Sequence, residues 1–77
     1  MSVIELITSY KLKGNSSFSE GNYVAACKYY ANGIEEIMKI ESNGDQNVID
    51  DIDFVIFKSQ LFLNLALANF QLDEISG

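Results

Sequence analysis

Two side chains of this 77-residue chain, Lys11 and Asn15, have the types and spacing to hold a carboxylate, and Asn64 offers a further amide of the same kind. Lys11 and Asn15 are four residues apart, so on a helix they share one face. A lysine ammonium offers three N–H donors and a full charge, and an asparagine amide adds two more donors. Such a pair can hold the carboxylate of a peptide through charge-assisted hydrogen bonds. Asn64, carried on another helix, can converge on the same point. The plainer reading is a solvated Lys11 and two asparagines that satisfy backbone groups or a neighbouring helix. Spacing alone does not choose between the two. Lys13 is either a peripheral contact or solvent-facing, and Asn69 is either a second polar contact or a packing residue.

Other chemistries lack their residues. There is no His, which removes the usual general base and a common zinc ligand. Cys27 is the single cysteine, so no internal disulfide can form; among apolar neighbours it reads as a small buried hydrophobe in a reducing compartment. The five glycines (14, 21, 33, 44 and 77) are scattered, so none builds a phosphate-cradling loop. Asp50, Asp51 and Asp53 cluster, but without the spacing and central glycine of a calcium loop. They read as the solvated N-terminal cap of a following helix. No catalytic residue, metal or cofactor is expected. A net charge of −6, from eleven acids and five lysines, argues against nucleic acid as a partner.

The elements that must position these residues are helices. Ser2 and Glu5 fit a capping box, and Val3, Ile7, Tyr10, Gly14 and Ser17 or Phe18 recur at helical steps. A first helix is expected over about 2–20, ended by Gly21 in the left-handed conformation. A second, over about 23–41, carries the stripe Tyr23, Ala26, Cys27, Tyr30, Ile34, Ile37 and Met38, with Tyr29 off it and the aromatic most open to solvent. Ser42-Asn43-Gly44-Asp45 signals a turn, and a polar loop runs on to about Asp51.

A third helix is expected over about 52–73. Its stretch FVIFKSQLFLNLALANFQL, from Phe54, is apolar on nearly every side, so more than one face must be covered. Lys58, Gln60, Asn64 and Asn69 interrupt it often enough to disfavour a membrane span. MSVIELITSY has neither a basic leader nor a small-residue cleavage site, and the expected location is the cytoplasm. The fold class is therefore all-α: three antiparallel helices in a single domain, 1–77. A chain this short rarely stabilises a lone core by more than about 3–5 kcal/mol.

The run KLKGN-x-x-F-x-x-GNY-x-x-A-x-x-x-Y resembles a tetratricopeptide repeat, a helix–turn–helix unit of about 34 residues. Tyr10 stands at the leading aromatic and Gly14 at the small position where the helices cross. Gly21 and Tyr23 match the turn and the start of the second helix. Ala26, Tyr30 and Gly33 match the small, bulky and small positions after it. The proline common after the repeat is missing. The third helix looks like the first helix of a second repeat, with Leu63-Asn64 where Gly14-Asn15 stood.

The resemblance covers about Tyr10 to Leu72, one and a half repeats. It is nearest to the chaperone-adaptor subgroup of immunophilins and other cochaperones, which often has a longer link between the first two repeats. That subgroup holds the acidic C-terminal tail of a heat-shock chaperone in a two-carboxylate clamp. The resemblance maps part of this clamp onto Lys11, Asn15 and Asn64; the Lys and Arg of a third repeat have no counterpart. It implies a non-catalytic interaction module of a cochaperone, with an accessory domain of a peptidyl-prolyl isomerase as an alternative. A structural or self-associating module is the further alternative, pairing through the third helix as a homodimer that is side by side or helix-swapped. In every case part of the third helix, with residues among Phe57, Leu61, Leu65 and Ala68, is expected to await another helix.

Overall fold

Ser2 opens the first helix as the sequence demands: its Oγ accepts from the Glu5 backbone N–H at 3.1 Å, and the Glu5 carboxylate sits in the positive first turn. The computed structural model describes residues 2–44 and 52–76. Three α-helices run through them: α1 Val3–Ser19, α2 Tyr23–Asn43 and α3 Ile52–Ser76. The fold is all-α with no strand among the described residues.

The α1–α2 corner is built by four residues. Gly21 takes φ +80°, which an L side chain would resist, and its N–H donates to Phe18 O. The Asn22 N–H reaches back five residues to Ser17 O at 2.8 Å, closing a Schellman turn. Asn22 then caps α2, its Oδ1 accepting from the Ala25 N–H at 3.2 Å. Phe18 and Tyr23 meet edge-on across the corner, ring centroids 5.1 Å apart, and fix its angle.

Helix α2 lies between the other two, packing on α1 with one side and on α3 with the other. Along α1, Tyr10 lies by Gly33, Gly14 by Tyr30 and Phe18 by Tyr23. Along α3, Lys58 meets Glu41, Leu61 meets Gly33 and Asn69 meets Cys27. Both series run in opposite chain order, so sequence neighbours are antiparallel and α1 and α3 run the same way. The core holds Ile7, Ala26, Tyr30, Ile34, Ile37, Ile40, Phe54, Leu61 and Ala68. Four large side chains are essentially sealed, Tyr30, Ile7, Ile37 and Leu61. Each contributes about 1.5–3 kcal/mol by leaving water.

The structure corrects several expectations. Helix α2 runs two residues past Glu41, through the turn-forming pair Ser42-Asn43, until Gly44 at φ +74° ends it. Glu41, now inside the last turn of α2, pairs with Lys58 of α3 at 2.6 Å. Helix α3 continues to Ser76, past the expected end at Asp73. Met38 is off the buried stripe at 58% exposure, and Ile40 takes its place because α2 must satisfy two neighbours rather than one. Tyr29 is half-buried, like Tyr10, Phe18 and Tyr23, instead of the most open aromatic.

The largest correction concerns α3. The stripe Phe57, Leu61, Leu65 and Ala68 is the face that packs on the core, not the face left open. The open face instead carries Val55, Ile56, Phe62, Leu63, Leu67 and Phe70. A helix apolar on every side has two stripes that periodicity cannot rank. The polar loop expected to reach Asp51, and capping by Asp50 or Asp51, lie outside the described residues, as does the Asp53 side chain.

Candidate functional site

The three residues singled out by their chemistry are brought onto one side of the molecule. Lys11 and Asn15 sit one turn apart on α1, and Asn64 comes from the parallel α3. The register between these helices is constant: Lys11 stands opposite Gln60, and Asn15 opposite Asn64. All three are partly buried.

Asn15 is the centre of a polar chain that touches every helix. Its Oδ1 accepts from the Tyr30 hydroxyl of α2 at 2.6 Å and from Asn64 Nδ2 of α3 at 3.3 Å. With the carbonyl end held twice, the amide is oriented. Its Nδ2 donates to nothing else among the described residues, so two N–H donors stay available there. The Asn64 amide keeps one further N–H.

Lys11 is held by a neutral partner. Its Nζ donates to Gln60 Oε1 and lies 4.8 Å from the centroid of the Phe57 ring. Neither contact cancels its charge. Lys39 and Lys58, by contrast, are paired with Glu36 and Glu41. A positive potential therefore persists one turn from the two amides, on a chain that is acidic overall. Lys13 is exposed and lies 6.0 Å from the Tyr29 ring, at the rim of α1 rather than beside Asn15.

A cavity of about 230 Å³ opens beside the amides, lined by Asn15, Phe18, Ser19, Tyr30, Asn64 and Leu67. Cavities for drug-sized ligands begin at about 300 Å³, and one water occupies about 30 Å³. The space suits a carboxylate or a small side chain. A wider depression, lined by Ile4, Glu5, Thr8, Ser9, Leu12 and Lys13, lies on α1 alone. No second helix brings a polar group to it.

Burial raises the Tyr30 hydroxyl above its ordinary 10.0, with a smaller contribution from the nearby Cys27 sulfur. Tyr30 therefore stays a donor to Asn15 throughout the neutral range. Cys27 is likewise raised by burial, and its Sγ donates to Asn69 Oδ1 at 3.3 Å. A raised thiol is a weak nucleophile at neutral pH, which fits a packing role.

Sequence reasoning missed Gln60, Phe57 and Tyr30 as parts of this site. A signal for Gln60 was present: Gln60 and Asn64 repeat the four-residue spacing of Lys11 and Asn15. The sequence places Tyr30 on the packing stripe of the second helix, and its hydroxyl also orients the central amide. No protein-family model, curated protein or solved structure matches this chain.

Proposed function

We propose that this chain is a non-catalytic, tetratricopeptide-type interaction module that takes the C-terminal carboxylate of an acidic peptide, such as the tail of a heat-shock chaperone. The observation that carries the reading is the convergence of the Asn15 and Asn64 amides from two helices, with the charged Lys11 one turn away. The unspent N–H donors match what a carboxylate accepts. The cavity of about 230 Å³ accommodates the terminal group but not a large ligand. In this reading Lys11 supplies charge, Asn15 and Asn64 supply oriented donors, and Tyr30 and Gln60 position them. A cochaperone role rests on the resemblance and a cytoplasmic location on the sequence reading, neither on the geometry. Among the described residues, no helix is long and apolar enough to cross a membrane.

The test is an NMR titration with an acidic peptide that ends in a free carboxylate, beside the same peptide amidated at its C-terminus. The free-acid peptide is expected to shift the Lys11, Asn15 and Asn64 signals, with binding that weakens as salt rises. Lys11→Ala should weaken it about tenfold, the loss of one charge-assisted bond of about 1.5 kcal/mol. Equal shifts from the amidated peptide, or none from either at millimolar concentration, would refute the proposal.

A further inference from the structure

Between Val55 and Phe70 the outward side of α3 is mostly apolar, and the exposed Asp73 and Glu74 follow it. Val55, Ile56, Phe62, Leu63, Leu67 and Phe70 are each between 45% and 61% exposed. Ile56, Leu63 and Phe70 lie opposite Phe54, Leu61 and Ala68, which are buried against the other helices; Val55 and Phe62 flank that row on one side, and Leu67 on the other reaches the cavity beside Asn15. From Val55 to Leu72 the only charged residue is Lys58, and it is tied to Glu41 of α2 at 2.6 Å. Covering the stretch from Val55 to Leu72 would strip water from no unpaired charge.

We infer that α3 is the contact of a homodimer, packing against α3 of a second copy about a two-fold axis near Leu63. Ile56, Leu63 and Phe70 recur at intervals of seven, the spacing of a seam between paired helices. The row is symmetric about its middle member. An antiparallel second copy therefore sets Ile56 of each chain against Phe70 of the other and brings the two Leu63 side chains together. That is the self-complementarity an isologous contact requires. The small Ala66, beside this row, lets the helices approach.

The area is of the right order. Six large apolar side chains, each about half exposed, present on the order of 100 Å² apiece, or roughly 600 Å² per chain. Ser59 and Ala66, exposed between these side chains, add to this. A stable pair of proteins buries about 800 Å² per partner. A single uncovered patch of this size is at the upper end of what monomeric proteins expose. The occupant must offer an apolar, uncharged row, and residues 59–72 of a second α3 do so.

Sedimentation of the intact chain from micromolar to millimolar concentration tests this. A monomer–dimer equilibrium is expected. Leu63→Glu should weaken it at least about a hundredfold, since each dimer loses two buried leucines and gains two charges. Helix content should be unchanged, because Leu63 lies outside the core. Phe70→Ser provides a second variant with the same expected direction. Leu12→Glu, at an equally exposed 61% but on α1, should leave association intact. A monomer at every concentration would overturn the proposal and leave the face to an apolar helix of a different protein. An assembly larger than two, or a dimer indifferent to both α3 substitutions, would also overturn it.

Discussion

Gly14 is the position where one added carbon should cost most. A Cβ built there lies 2.5 Å from Tyr30 Cε1 and 2.7 Å from Cδ1, far inside van der Waals contact. The Tyr30 ring cannot swing aside freely. It is 2% exposed, and its hydroxyl is held by Asn15 at 2.6 Å. Gly14→Ala therefore overpacks the α1–α2 crossing, at about 1–3 kcal/mol, and strains a hydrogen bond worth about 1 kcal/mol. Against this stands the gain in helix propensity, about 1 kcal/mol. The net is a loss of about 2 kcal/mol.

In a domain this small that loss lowers Tm by roughly 8–16 °C. Thermal and urea unfolding followed by circular dichroism would read it. Gly33→Ala is the internal contrast. Its added carbon would meet Leu61 Cδ1 at 3.4 Å and Tyr10 Cβ at 3.5 Å, ordinary contact distances. That variant should be neutral or stabilised by up to about 1 kcal/mol, from propensity alone. Gly14→Ala as stable as the parent, or Gly33→Ala the more damaging, would refute this account of the crossing.

Other outcomes follow from the same contacts. Stability should be flat from neutral pH to about 9 and fall above it. Burial holds the Cys27 and Tyr30 protons to higher pH in the folded chain than their ordinary 9.0 and 10.0, so the unfolded chain ionises first. Urea midpoints measured across that range check this, and Cys27→Ser should remove the earlier part of the decline. Lys58→Ala should cost about 0.5–1 kcal/mol, since its bond to Glu41 joins α2 to α3 but both side chains are 34% exposed. The cost should shrink in high salt; a salt-independent loss would mean that the lysine stem, not its charge, matters.

The elements were legible because their signals are local. Ser2 with Glu5, Gly21 with Asn22, and Gly44 are punctuation that works within a few residues, and each behaves as its chemistry requires. The nearness of Asn15 and Asn64 was legible from spacing joined to family resemblance. What was not legible is a choice between equals. Helix α3 has two apolar stripes, and only the shape of α2 selects Leu61 and Ala68 over Leu63 and Phe70. The same limit applies to Met38 and Ile40, where the second neighbour of α2 decides. Tyr30 shows a different one. Periodicity reports a buried ring but says nothing of where its hydroxyl is aimed.

The placement of α2 between its two sequence neighbours bears on how the chain acquires its structure. Nearly all tertiary contact joins α1 to α2 or α2 to α3, elements adjacent along the chain. Such a topology has low contact order, so little loop entropy is lost before contacts begin to form, and folding in microseconds to milliseconds is the norm for it. Either hairpin can form first, with α2 as the template for the second. The Asn15–Asn64 and Lys11–Gln60 pairs join the outer helices and come together only after both hairpins dock. The side that carries these pairs is thus the last part of the fold to assemble, and the first to be lost when α3 lifts away.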